Sequence, residues 1–135
     1  MTEPEVGASA TVDLVVREAD CASALKLSND PLDNFPSVFA TTRMIALMEL
    51  AGARLMHPLL QAGEMSVGAH VDVSHIAATP IGAKVTATAT YRGRDGKLFV
   101  FDVIAHDPAG EIGRGTHKRA IISEERLVSG AARRV

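Results

Sequence analysis

The chain has 135 residues, 47% of them hydrophobic, and a formal net charge of −2 from 14 basic and 16 acidic side chains. That length suits one domain, 1–135, and that apolar share supplies a core and excludes disorder. The charge balance gives no whole-chain pull toward nucleic acid or a membrane surface, so neither is expected as a partner. The lone cysteine, Cys21, excludes an intrachain disulfide and fits a reducing compartment. Residues 1–10 contain no apolar signal-peptide core and no apolar run is long enough to span a bilayer, so a cytoplasmic location is expected.

In chain order, 1–10 reads as a loose tail and Thr11–Val16, rich in β-branched residues, as a first strand. Residues 19–37 are broken by Asp30-Pro31 and Phe35-Pro36 and read as loop with at most a short turn of helix. Phe35 is then either a plug beneath that loop or a lid over a pocket, and the residues alone favour the plug. Thr41 to His57 reads as the central helix. Thr41 or Thr42 is placed to cap it, and Pro58 stops it by removing a donor and restricting His57. From Met44 to Ala53 every residue but Glu49 is apolar or Gly, so the helix is expected to be buried nearly all round. Glu49 is the exception, because an ionised carboxylate there is costly unless paired.

Val67–Ala77 alternates with a period of two, placing Val67, Val71, Val73 and His75 on one face, toward the helix. Ala83–Arg92, Lys97–His106 and Glu111–Ser123 follow as strands. They are joined by tight connections at Asp95-Gly96 and Asp107-Pro108-Ala109-Gly110. Residues 125–135 read as a frayed basic tail. The fold class is α+β: a five-stranded antiparallel sheet wrapped around one long helix. The exposed edges of such a sheet call for a homodimer.

Thr41 and Glu49 stand eight residues apart, on roughly the same side of the helix, and His75 arrives from the sheet. Singly, each has an ordinary reading: a helix cap, a carboxylate tied to an amide or to Arg54, a satisfied core histidine. Together they point to an active site, because converging polar groups in an apolar space are costly to fold. The five histidines lack close ligand spacing, so no metal is expected. Lys118-Arg119 with Arg114 reads either as a solvated face or as a grip on the phosphates of a nucleotide-bearing substrate.

Phe35-Pro36-Ser37-Val38-Phe39-Ala40-Thr41, Met44, Leu47-Met48-Glu49, Gly68, the strand to His75, and Ile112-Gly113-Arg114-Gly115-Thr116-His117 with Arg119-Ala120 resemble the fluoroacetyl-CoA thioesterase family of the hot-dog fold. The likeness runs from about Phe35 to Ile122. It implies a catalytic Thr41–Glu49–His75 triad, an acyl-CoA substrate, no cofactor and usually a dimer. It also implies a lid at Phe35, a glycine beside the thioester at Gly68 and a ligand-contacting Arg119. Leu32 departs from the family where a second lid phenylalanine is expected, and Thr42-Arg43 replaces smaller, apolar types. Against hydrolysis stand dehydration of a hydroxyacyl thioester, a non-catalytic acyl-CoA-binding module and a ligand-free structural dimer. The triad spacing favours hydrolysis.

Overall fold

The computed structural model describes residues 3–135. In order come β1 (Ser9–Val15), α1 (Thr41–Met56), β2 (Glu64–His75), β3 (Lys84–Asp95), β4 (Leu98–Asp107), β5 (Gly110–Ser123) and α2 (Glu124–Ala132). Short 3-10 turns lie at Glu18–Asp20, Ala22–Ala24, Pro31–Asp33 and His57–Leu59. All strand pairs are antiparallel, in the order β1-β3-β4-β5-β2. The strands flanking α1 in sequence are therefore the two edges of the sheet, and α1 packs across the face between them.

The core forms where the inward residues of the sheet meet one stripe of α1. Val85, Ala87, Ala89, Tyr91, Phe101, Val103 and Ile112 pack against Met44, Leu47, Met48, Ala51 and Met56. Alternation on β3 is strict, with Lys84, Thr86, Thr88 and Thr90 on the opposite face. The helix ends before Pro58, as its chemistry requires. Its start differs from expectation: Ala40 is the N-cap, no side chain caps it, and Thr41 is already helical. All-round burial is also corrected. Ala46 and Leu50 lie open and Glu49 is 37% exposed, because a sheet covers only one side of a helix.

Both expected tails contain regular structure. β1 begins at Ser9, the Gly7 amide donates to the Tyr91 carbonyl, and the Tyr91 hydroxyl donates to the Glu3 carboxylate at 2.5 Å. Residues 1 and 2 of the expected tail lie outside the described residues. At the other end, Ser123 caps α2 by accepting from the Arg126 amide. None of α2 is buried. Among the described residues no helix is long and apolar enough to cross a membrane.

β2 is the strand that departs most from its sequence pattern. Its pairing with β5 runs Gly68↔Arg119 and then His70↔Lys118, so Ala69 is the extra residue of a bulge. The period of two breaks there. Gly68 faces α1 before the bulge, and Val71, Val73 and His75 face it afterwards. Val67, which the alternation placed with those valines, is out of phase with them.

Candidate active site

Two polar groups lie along the β2 side of α1. At its N-terminus, Thr41 Oγ1 is 2.7 Å from His75 Nδ1. The Thr41 hydroxyl is thus used across to the sheet, which explains why it does not cap the helix. His75 Nε2 is buried and finds no hydrogen-bond partner among the described residues. Beside this pair is an open cleft of about 340 Å³ between Val38–Thr41 and His75–Ala78.

Thr41 is held in place by the preceding loop. The buried Asp20 carboxylate accepts from the Arg17 side chain at 2.9 and 3.0 Å, the Arg17 amide at 3.0 Å, and the Arg43 guanidinium at 2.6 and 3.2 Å. Its carbonyl accepts from the Ala40 amide. Hydrogen bonds from Arg17, then from Arg43, hold its carboxyl well below the usual carboxylate range.

The second group lies two turns further along α1, about 12 Å by helix rise. Glu49 Oε1 is 3.5 Å from an Arg119 nitrogen and 3.9 Å from His117 Nε2. A methyl on Gly68 would collide with this carboxylate, so the missing Cβ lets Glu49 lie against bare β2 backbone. Ile45, Met48, Val71, Val73 and Val103 line a narrow apolar crevice beside it. Arg119 is 6% exposed. It donates to Ser66 Oγ at 3.0 Å, to the Ser66 carbonyl at 2.9 Å and to His117 Nε2 at 3.1 Å. His117 Nδ1 lies 2.9 Å from the His70 carbonyl. Burial, with Arg119 nearby, pushes the His117 ring below the ordinary histidine value.

Of the expected triad, Thr41 and His75 meet, while neither hydrogen-bonds Glu49 within one chain. Gly68 and Arg119 do join Glu49. The expected basic cluster does not form. Arg119 points inward, Arg114 pairs with Glu111 and Lys118 pairs with Asp95, because alternate residues of β5 face opposite sides. Phe35 is 55% exposed and is not a plug beneath its loop. The sequence reading missed His117, Ser66 and the clamp at Asp20. The usable signals were the i, i+2 spacing of His117 and Arg119, and Gly52 on α1, whose empty side faces both at 3.4–3.5 Å. Among the described residues no group of three or more metal-binding side chains comes together.

Residues 16–125 match the family model described as fluoroacetyl-CoA-specific thioesterase. The chain is 44% identical over 122 residues to the fluoroacetyl-CoA thioesterase of Streptantibioticus cattleyicolor, covering 90% of this chain and 88% of that one. It also superposes on a crystal structure of a fluoroacetyl-CoA thioesterase, a threonine-to-alanine variant in complex with fluoroacetate. That match has a TM-score of 0.90, 40% identity, and 98% and 99% coverage of the two chains. A hot-dog-like protein from Thermanaerovibrio acidaminovorans matches with a TM-score of 0.78 and 25% identity, over 96% of this chain and 92% of that one. A family match over most of the chain, and one long helix held by a five-stranded antiparallel sheet, agree: the protein belongs to the fluoroacetyl-CoA-specific thioesterase family and has the hot-dog fold.

Proposed function

We propose that the chain, a thioester hydrolase by family, cleaves short acyl-CoA esters through Glu49, Thr41 and His75. The observation that carries this is the half-exposed Glu49 carboxylate lying on the bare backbone of Gly68 at the sheet edge. A thioester carbonyl seated at Gly68 would present its carbon to Glu49, with backbone dipoles and the Arg119 charge near the developing oxyanion. In one route Glu49 attacks, the C–S bond breaks, and CoA leaves as a thiolate that takes a proton from His75. Water, deprotonated by His75, then opens the resulting anhydride. In the other, Glu49 removes a proton from water, which attacks the carbonyl directly. Single-turnover hydrolysis in labelled water tests for the first, because label enters Glu49 only when water opens the anhydride at the Glu49 carbonyl. The narrow crevice beside Glu49, and the fluoroacetate bound by the relative, support a small acyl group, fluoroacetyl among the candidates.

The triad is completed in a homodimer. β2 is a twelve-residue edge strand with Val71 40% exposed, a surface suited to pairing with a second copy. Antiparallel pairing centred between Val71 and Asp72 would set His75 of one copy beside Gly68 of the other. The His75 ring, held at Nδ1 by Thr41, would then lie beside the second copy's Glu49. The fluoroacetyl-CoA thioesterase relatives favour hydrolysis over hydration chemistry and mere ligand binding. A panel of acyl-CoA esters assayed for free thiol tests the proposal. Short esters should turn over in the wild type and not in Glu49→Gln, whereas an inactive wild type or a fully active variant overturns it.

A further inference from the structure

We propose that His117 is a positioning residue: by accepting from Arg119 Nη1 it holds the guanidinium short of a direct hydrogen bond to Glu49, and so leaves the carboxylate free to react. This rests on Glu49 carrying the chemistry. The ring makes two polar contacts. The His70 carbonyl only accepts, so His117 Nδ1 must carry a hydrogen. Arg119 only donates, so Nε2 must be bare. One ring meets both demands only when neutral with its proton on Nδ1. The groups around it agree. Arg119 on β5, Glu49 on α1 and His70 on β2 are the titratable neighbours, and Phe101 of β4 stacks on the ring at 6.4 Å.

The consequence falls on Glu49. Arg119 gives its Nε hydrogen and one Nη2 hydrogen to Ser66 and one Nη1 hydrogen to His117, three anchors that fix the guanidinium with Nη1 set back from Glu49. Glu49 then feels the positive charge from 3.5 Å without a short direct hydrogen bond. A carboxylate forked onto a guanidinium would have its lone pairs committed and would be a poorer nucleophile or base. The bulge at Ala69 turns the His70 carbonyl toward the ring, and Gly52 leaves the space in which His117 and Arg119 fit under the helix. Sheet irregularity, helical glycine and buried histidine thus serve one arrangement.

Two measurements test this. The first is a nitrogen-15 histidine ring correlation spectrum of the full-length protein, which needs no activity. It should show His117 neutral with the proton on Nδ1 at neutral pH. A proton on Nε2, or a doubly protonated ring, overturns the inference. The second compares His117→Phe, which fills the space with no acceptor, with His117→Gln, which restores one. The Phe variant should lose kcat roughly tenfold or more, equally on a CoA ester and on a truncated thioester, with KM little changed, and the Gln variant should recover most of it. Equal loss in both variants, or a change confined to KM for the CoA ester, overturns the inference. If the wild type hydrolyses no thioester, the functional reading fails and takes the kinetic half of the inference with it. The ring spectrum still decides the geometry.

Discussion

Adding one methyl group at Gly68 should separate catalysis from stability. Gly68 is not in the left-handed region, so alanine suits its backbone and relieves the entropic cost of a strand glycine by about 0.5–1 kcal/mol. Against that, the new Cβ would meet His117 Cε1 at 3.2 Å and overlap the end of the Glu49 side chain. The first contact requires a shift of a few tenths of an ångström. The second yields easily, because Glu49 is 37% exposed and can swing outward. The net change in stability should therefore lie within about 1 kcal/mol, or within about 4 °C in Tm for a domain of this size. Catalysis has no such tolerance. A reacting group displaced by about 1 Å costs on the order of a hundredfold, or about 2.7 kcal/mol of transition-state stabilisation. Thiol release and a calorimetric scan on the same purified Gly68→Ala sample give both values. A variant as active as the wild type would refute a reacting centre at Gly68 and Glu49. One that loses more than about 10 °C in Tm would show that crowding at this site cannot be relieved by moving Glu49.

Asp20→Asn should cost roughly 3 kcal/mol at neutral pH, since a buried carboxylate with two arginines loses its charge, and should lower Tm by about 10 °C. The folded-state pKa of Asp20 is depressed, so its stabilisation is complete above the unfolded value of about 4 and fades as pH falls below it. Melting curves should show the gap between wild type and Asp20→Asn shrinking toward pH 3, and a gap that grows would contradict the assignment. Phe35→Ala should leave Tm nearly unchanged because the ring is 55% exposed, while shifting the ratio of kcat/KM between acetyl-CoA and longer esters if the ring closes over the acyl group. Val71→Lys places a charge in the middle of the free β2 edge. Sedimentation should show a dimer for the wild type at micromolar concentration and a monomer for the variant.

Much of the architecture was legible because it rests on local rules. The Ala-, Leu- and Met-rich run ended by Pro58 gave the helix to within a residue, and alternation on β3 was visible as Val-Thr-Ala-Thr-Ala-Thr-Tyr. The expectation failed where a long-range partner decides the outcome. Nothing local signals the Ala69 bulge, which re-phases β2 and brings both Gly68 and His75 to the helix side. Glu49 stands out in the sequence, but its neighbours within the chain do not: Arg119 reaches it from a strand some seventy residues later, with His117 beside it. Arg114, Lys118 and Arg119 make no single patch, because adjacent strand residues face apart and each side chain finds its own partner. Tyr91 ties down the N-terminal segment through Glu3 and Gly7, a bond no local composition announces.

The most direct test of the account is complementation between two inactive variants. Glu49→Gln and His75→Ala are purified separately, mixed in equal amounts and allowed to exchange subunits, with exchange followed by energy transfer between labels. If Glu49 of one copy works with Thr41 and His75 of the other, each hybrid dimer keeps one intact site. Half the dimers are then hybrids with one of two sites active, so thioesterase activity should return to about a quarter of the wild-type value. Complete subunit exchange with no return of activity would contradict a shared site.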